Sequence, residues 1–524
     1  MSSTLQPSLH DRPSAVGETL VRNVVANFAG QAVSVLLVFL SVPFIAHTLG
    51  AARYGCLVLL MTYVGALNIL NLGVNATLVK YVGELLPQGK LTELRAFIGT
   101  SLTLFLAGGF IVSGLACAFA PLIVHHLLHA PAELQHSMVV SLWLASCSFV
   151  IRSVGQALSS VPLGAQRFDL ANSINSGTEA LRTLCSIVTL HYSASLEVIM
   201  TITVLSDLLN CAAYIVIVRR ILPGIAIIPR LSRPHLRTLL RFSKYVLVCN
   251  VSARLVNSAD SFLVSYFLPV AHVAFYGVPY SIGQKLWTLV GNVASVVFPA
   301  ASAFSASGGS HQVRDLYLRG VRATVAVACF PALAFAIFSR PFLVYWIGPD
   351  FAAQSTLPFR LLSIGFLINS VSFVPYLVLQ ATHFPHITAR FAGMYAAVNL
   401  VLFVILIPRF GIVGAAAGFL ISQLVIVPWQ FRVANRLLGI DGKRFLRFSL
   451  KPVPPLAMAS ALSIITLSFI HSLLQTMLAA SAALTLYVVA GWFTVLDDRE
   501  RATCLGLIRR AAGFPLQTKS ELLT

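Results

Sequence analysis

The sequence predicts an all-α polytopic membrane protein of about fourteen transmembrane helices, arranged as two six-helix lobes in a parallel pseudo-repeat plus two C-terminal helices. The chain has 524 residues, of which 57% are hydrophobic and 10% are charged, and it holds more apolar runs than a soluble core could bury. Its basic residues collect on alternate loops between these runs. The chain also matches itself at an offset of roughly 216 to 223 residues, which indicates an internal repeat.

The apolar runs predict where the membrane helices lie, because a membrane helix needs about 20 mostly apolar residues. Residues 1–23 and 497–524 are expected to be cytoplasmic tails. The runs predict helices at 24–48, 55–82, 96–121, 137–161, 170–191, 195–218, 245–268, 275–301, 319–347, 355–381, 388–407, 411–436, 450–472 and 476–496.

The excess of 36 Lys and Arg over 17 Asp and Glu could suggest nucleic acid as a partner, but the charge positions exclude it. The connector 219–244 is basic and has no acid, and the connector after the twelfth helix is nearly as basic. The opposite loops hold little more than Arg53 and Arg409. The positive-inside rule therefore places both termini in the cytoplasm.

The repeat divides the chain into an N-lobe at 24–218, a basic linker at 219–244 and a C-lobe at 245–436, with helices at 450–496 outside it. Its anchors recur in order: Asn27 matches Asn250, and Tyr54-Gly55 matches Tyr276-Gly277. Transporters built from such parallel repeats bind their substrate between the halves.

Four cations, Arg152, Arg182, Arg254 and Lys285, lie inside otherwise apolar helices. A cation at mid-bilayer costs at least about 2.5 to 3.5 kcal/mol, so each must face protein, water or an anion. Against the acids Glu179, Asp207 and Asp260 they leave a small positive excess, which favours an anionic ligand. Arginine matches phosphate by bidentate hydrogen bonds.

Polar residues at helical spacing extend this candidate substrate site. Helix 1 adds Asn27 and Gln31, and helix 7 adds Asn250 and Asn257. Each also has a structural interpretation, since small polar residues join membrane helices by hydrogen bonds, and Glu179 could pair with Arg182 in its own helix. The clearest stripe is on helix 5, with Asn172, Asn175, Glu179, Arg182 and Ser186.

The same carboxylates, Asp207, Glu179 and Asp260, are candidates for coupling transport to a proton or sodium gradient. Asp207 is preferred, because no cation lies one turn away on its helix. No cofactor, metal or catalytic residue is expected. The histidines between His125 and His136 have a spacing compatible with metal ligands, but an outer loop facing headgroups or solvent is favoured.

The segment from Asn27 to Glu84 resembles the start of the Wzx-type polysaccharide flippases of the multidrug/oligosaccharidyl-lipid/polysaccharide exporter superfamily. The matching features are the LG-to-RYG turn from Leu49 to Gly55 and the pair Lys80-Tyr81. Further matches are Gly164 to Phe168, Asp260 with Ser261-Phe262, Tyr276-Gly277, and Trp346-Ile347-Gly348.

The resemblance implies a V-shaped bundle of fourteen helices in the bacterial inner membrane. It implies alternating access that moves an undecaprenyl-diphosphate-linked oligosaccharide to the outer leaflet for O-antigen or exopolysaccharide synthesis. Such a protein is not an enzyme; its partners would be the lipid-linked substrate, membrane lipids, and a polysaccharide polymerase with chain-length machinery. By position, Arg152, Arg182, Arg254 and Lys285 could be the basic cavity residues known in the family.

Three alternatives stay open. A cation-coupled multidrug exporter of the same superfamily typically has acids in helix 1, and this helix has none. A lipid II flippase differs only in lacking the RYG-type opening. A polysaccharide polymerase or ligase would have a large outer loop with catalytic residues, whereas the outer loops predicted here are short.

Overall fold

The computed structural model describes residues 13–67, 69–127, 131–223, 228–239, 259–295, 297–382, 384–498 and 500–502, and within these ranges it contains helices and no strand. Short helical stretches also cover 233–239 and 259–267. The longer helices are α1 Pro13–Leu67, α2 Ile69–Leu85, α3 Leu91–Leu122, α4 Ala132–Gly164, α5 Phe168–Tyr192, α6 Leu196–Ile221, α7 Ala271–Ala294, α8 Val297–Ala306, α9 Ser310–Trp346, α10 Pro349–Val371, α11 Phe373–Ala381, α12 Pro385–Leu438, α13 Gly442–Ser449, α14 Val453–Thr466 and α15 Leu473–Thr494.

In the described part of the chain, nine helical segments are long and apolar enough to cross a membrane. This confirms the all-α polytopic membrane class, while the total of fourteen spans stays a prediction. One reason why nine segments are found instead of fourteen is α5. This helix is about 37 Å long and so could span the bilayer, but its polar stripe lowers its mean hydropathy. Another is the predicted helix 245–268, most of which lies outside the described residues.

The long helix α12 is a hairpin of two helices. The rings of Phe391 and Trp429 have centroids 5.5 Å apart, although 38 residues of straight helix would separate them by about 57 Å. Asn399 Nδ2 donates to Ser422 Oγ at 3.0 Å across the same pair. The chain reverses at Gly411, which has φ 60° and ψ −142°. The predicted break between 388–407 and 411–436 is therefore confirmed.

A second glycine break divides α1. Gly50 has φ 73° and ψ 165°, in a region that side chains with a Cβ rarely adopt. It lies inside the LG-to-RYG turn that ended the first predicted helix at residue 48. Five residues later, a Cβ on Gly55 would collide with the carbonyl oxygen of Val270, so this turn also needs a residue without a side chain.

The structure differs from the predicted helices at three places. The helix expected at 355–381 is broken at Ser372, because Pro375 lacks an N–H and its ring crowds the carbonyl of the residue four before it. The helix expected at 275–301 is interrupted between α7 and α8. The helix α13, within the supposed loop before residue 450, was not predicted at all.

The chain forms two compact units. The first comprises residues 1–278 and 403–412, and the second comprises 279–402 and 413–524. The basic linker predicted at 219–244 thus belongs to the first unit, and the lobes at 24–218 and 245–436 stay a prediction.

Replacing Gly411 by Ala should lower the thermal unfolding midpoint of the detergent-solubilised chain, because the backbone conformation at 411 costs a residue with a Cβ about 1 to 3 kcal/mol. Gly393→Ala is the matched control: position 393 is helical and has open space around it, so the midpoint should stay or rise. Equal midpoints for Gly411→Ala and Gly393→Ala would contradict the assignment of Gly411 as the hairpin turn.

Candidate functional site

A polar cavity of about 310 Å³ lies within the first unit, between α4, α5 and α6. On α4 and α5 the lining residues recur at i, i+3, i+4 and i+7, so they occupy one face of each helix. The residues are Arg152, Gly155, Gln156 and Ser159 from α4, Asn175, Thr178, Glu179 and Arg182 from α5, and Ser206, Asp207, Asn210 and Tyr214 from α6.

Asp207 joins α6 to α4. Its Oδ2 accepts a hydrogen bond from the Ser148 hydroxyl, and its Oδ1 lies 3.7 Å from Arg152 Nε. The Asp207 side chain is 11% exposed, whereas Arg152 is 35% exposed. The Arg152 contact is longer than a hydrogen bond, so this is a loose ion pair in which most guanidinium donors stay available.

Arg182 and Glu179 form the second ion pair, on consecutive turns of α5. Arg182 Nη2 donates to Glu179 Oε1 at 2.5 Å. Both side chains line the cavity. This is the structural pairing that the sequence left open for Arg182, and it uses one of the five N–H donors of the guanidinium.

A hydrogen-bonded amide network connects α5 with α6. Asn175 Oδ1 accepts from the Tyr214 hydroxyl at 3.0 Å and from Asn210 Nδ2 at 3.3 Å, and Asn210 Nδ2 also donates to Thr178 Oγ1 at 2.9 Å. This arrangement fixes the orientation of both amides. Both asparagines line the cavity, and each amide carries a donor and an acceptor group, so the wall includes both kinds of hydrogen-bonding group.

The formal charges around the cavity balance, with Arg152 and Arg182 against Asp207 and Glu179. The sequence argument for Asp207, that no cation lies one turn away, missed Arg152 because the two residues lie on different helices. The expected positive excess is therefore not a property of this cavity, and its cations and acids occur as pairs.

Asp260 has a different environment. It is 1% exposed, and its carboxylate accepts hydrogen bonds from the Tyr276 hydroxyl at 3.0 Å and from the Ser261 backbone N–H at 2.7 Å. None of the described basic side chains forms an ion pair with it. It belongs to the first unit but does not line the cavity.

The cavity lining in the described residues does not account for the other predicted site residues. Lys285 is half-buried on α7 in the second unit. Asn250, Arg254 and Asn257 lie outside the described residues. Asn27 and Gln31 lie on the helical backbone of α1, but their side chains lie outside the described part of the structure. Their roles as substrate ligands stay predictions.

The lining also includes residues that the sequence analysis did not select, among them Thr178, Ser206 and Tyr214. Thr178 lies three residues after Asn175, within the stripe already recognised on α5. Tyr214 lies one turn beyond Asn210, in a run that otherwise looks apolar. Counting every polar residue inside the α5 stripe would have found Thr178, and continuing from Asp207 at helical spacing, with tyrosine counted as polar, would have reached Tyr214.

Within the described ranges, no group of three His, Cys, Asp or Glu side chains is arranged to hold a metal ion.

The chain is similar to known proteins over most of its length. A family model described as "Polysaccharide biosynthesis protein" matches residues 44–349, more than half of the chain. A Shigella flexneri protein named "Putative O-antigen transporter" is 21% identical over 427 residues, which are 79% of this chain and 98% of that protein.

Two solved structures share the fold. The lipid II flippase MurJ, in an inward closed conformation, has a TM-score of 0.71 over 90% of this chain and 98% of its own. An inward-facing multidrug resistance MATE family transporter of the MOP superfamily has a TM-score of 0.67 over 77% of this chain and 94% of its own. Both are 12% identical to it, so they establish the fold and nothing more.

A double-mutant cycle on the thermal unfolding of the solubilised chain should detect the Arg152–Asp207 pair. We expect Arg152→Gln and Asp207→Asn to couple by about 0.2 to 1 kcal/mol, because the contact is loose and Arg152 is partly exposed. The control cycle, Arg167→Gln with Asp169→Asn, tests an exposed local pair and should couple no more strongly. Strict additivity at 152 and 207 would show that the two charges do not interact.

Proposed function

The chain belongs to the polysaccharide biosynthesis protein family, and we propose that it is a flippase that moves an undecaprenyl-diphosphate-linked oligosaccharide across the bacterial inner membrane. The family match confirms the resemblance to polysaccharide flippases that the sequence indicated. On this proposal both termini are cytoplasmic, the substrate moves from the cytoplasmic to the outer leaflet by alternating access, and no covalent chemistry is performed. A polysaccharide polymerase with its chain-length machinery would receive the product.

The observation that supports this proposal most directly is the cavity between α4, α5 and α6. Two of its three walls, α4 and α6, are membrane-spanning by length and composition, yet the cavity is lined almost entirely by polar side chains. A polar surface at this depth is costly unless it binds water or a polar ligand. A sugar or a phosphate group is such a ligand.

Size limits what this cavity can hold. Its volume of about 310 Å³ is at the low end for a small-molecule pocket, so it would hold one part of a lipid-linked oligosaccharide. The amides of Asn175 and Asn210 suit sugar hydroxyls, which both donate and accept hydrogen bonds. The guanidinium groups of Arg152 and Arg182 suit the diphosphate.

Arg152 is the better phosphate ligand of the two. Its contact with Asp207 is a loose ion pair worth little, so a phosphate could replace that carboxylate at small cost. Asp207 would keep the hydrogen bond from Ser148. Arg182 is held by a short hydrogen bond to Glu179 and would contribute its remaining donors without moving.

Replacing Arg152 with Gln should reduce flipping of a lipid-linked oligosaccharide at least tenfold, because a charge-assisted hydrogen bond contributes about 1.5 to 3 kcal/mol. The assay uses the full chain in proteoliposomes and a membrane-impermeant glycosidase that detects substrate in the outer leaflet. Arg182→Gln should have a smaller effect. Arg220→Gln, an exposed cation beyond the cavity at the end of α6, is the matched control.

The same proteoliposome assay distinguishes this proposal from a lipid II flippase and from a multidrug exporter. Faster flipping of lipid II than of the oligosaccharide lipid would reassign the substrate, and uptake of a cationic dye alone would indicate a multidrug exporter. Unchanged flipping in Arg152→Gln and in Arg182→Gln would remove the cavity from the proposal.

For coupling to a proton gradient we propose Asp260 in preference to Asp207. A carboxylate that gains and loses a proton needs an environment in which its neutral form is tolerated. Asp260 is 1% exposed and forms no ion pair with a described basic side chain, whereas Asp207 Oδ1 lies 3.7 Å from Arg152 Nε. Asp260→Asn should therefore abolish the response of flipping to an imposed pH difference while Asp207→Asn retains it. Retention in both variants, or loss only in Asp207→Asn, would overturn this assignment.

A further inference from the structure

The short helix α13 presents a basic face next to an apolar one. Asp441 caps its start, accepting a hydrogen bond from the Arg444 backbone N–H at 3.4 Å. Phe445 packs on the other side against Tyr317 and Phe431, with ring centroids 6.2 and 5.2 Å apart. The apolar face is therefore fixed to α9 and α12, so the orientation of the basic face is set by core packing.

That basic face lines a cavity of about 580 Å³ in the second unit. Lys443, Arg444 and Arg447 lie within an arc of about 100° on the helix, at 3.6 residues per turn. Lys451, just beyond the end of the helix, and the ring of Phe448 complete the lining. The ammonium of Lys451 lies 5.2 Å from the centroid of that ring.

The neighbouring acids already have partners. Asp497 accepts from Lys451 at 2.8 Å and from Arg322 at 3.3 Å, and Glu500 also pairs with Arg322, whose side chain is 3% exposed. The hydrogen bond from Lys451 is the main cause of the lowered pKa of Asp497, which therefore stays ionised at neutral pH. This network holds Lys451 in place.

Lys443, Arg444 and Arg447 have no such neutralisation. They are exposed, and none of them forms an ion pair with any acidic side chain in the described part of the chain. Three like charges on one helical face repel one another, at a cost that an anion in the cavity would remove. The cavity therefore has the charge expected of a phosphate-binding site.

Apolar side chains next to these cations indicate that the anion belongs to a lipid. Leu446 and Leu450 are more than half exposed, and a membrane-spanning segment, Gly442–Phe469, begins with α13 itself. Basic and apolar side chains together at the end of a span are typical of a helix at the headgroup level. Inorganic phosphate would leave the two leucines in water, whereas a phospholipid would cover them with acyl chain.

We propose that Lys443, Arg444, Arg447 and Lys451, with Phe448 beside them, form a binding site for the phosphate headgroup of an anionic phospholipid. This site lies outside the cavity between α4, α5 and α6, and it does not depend on which substrate is transported. Bound lipid would stabilise the connection between α12 and α14 by neutralising the basic face.

Native mass spectrometry of the full detergent-solubilised chain tests the site, with phosphatidylglycerol, phosphatidylcholine and undecaprenyl diphosphate as probes. The chain should bind phosphatidylglycerol in preference to phosphatidylcholine. The double variant Arg444→Gln/Arg447→Gln should weaken phosphatidylglycerol binding about 30-fold, since each basic residue near an anionic lipid contributes about a factor of five. Both side chains are exposed, so the variant should keep the melting temperature of the delipidated wild type.

The matched control is Arg219→Gln/Arg220→Gln, which removes two exposed cations from the end of α6 and should leave the preference unchanged. Equal binding of the two phospholipids, or equal loss in both double variants, would overturn the proposal, because either means diffuse attraction to charge. Binding of undecaprenyl diphosphate without phosphatidylglycerol would also overturn it, in favour of a substrate-entry site. The assay measures no transport, so these outcomes are independent of the proposed flippase activity.

Discussion

The constraint on which this structure depends is the cost of placing charge in a low-dielectric helix bundle. An arginine at mid-bilayer is unfavourable by at least about 2.5 kcal/mol. The helices α4 and α5 each contain one arginine away from their ends, Arg152 and Arg182. Each arginine forms an ion pair with a carboxylate. Arg152 pairs with Asp207 from a neighbouring helix, and Arg182 pairs with Glu179 from its own helix. The Arg152–Asp207 pair joins α4 to α6, and the hydrogen bonds of Asn175 with Asn210 and Tyr214 join α5 to α6, so the three helices meet along their polar faces. The cavity is the space left where those faces meet.

Pairing also changes what the cavity can recognise. An unpaired cation attracts any anion, whereas a loosely paired one exchanges its carboxylate for a ligand that offers better geometry. Arg152 is in the second situation, because its ion pair with Asp207 is long and partly solvated. If the cavity binds the substrate as proposed, its balanced charge would let it release that ligand more easily than a strongly positive cavity would. Release is as necessary as binding for a protein that moves its ligand across a membrane.

How much of the fold and of the cavity the sequence could predict depends on how far apart along the chain the interacting residues lie. Local sequence pattern was sufficient to predict the apolar runs, the helix breaks near Gly50 and Gly411, and the polar stripe of α5. Each of these features depends only on residues that lie within a few helical turns of one another. The Arg152–Asp207 pair joins residues 55 positions apart on different helices, and spacing along one helix carries no information about it. The break at Ser372 was missed because its cause, Pro375, lies inside an otherwise continuous apolar run.

The helix α13 is a second case in which the sequence analysis missed an arrangement that depends on tertiary packing. The sequence analysis counted its basic residues as a loop charge, because the positive-inside rule uses only the number and position of charges. Their grouping on one face follows from the Asp441 cap and from the packing of Phe445, which together turn a basic loop into an amphipathic helix. The two basic regions of the chain then differ in kind. Cations between α4, α5 and α6 are paired and line a polar cavity, whereas those on α13 are exposed beside exposed leucines. On the two proposals made above, the same residue types suit a transported ligand in one place and a membrane lipid in the other.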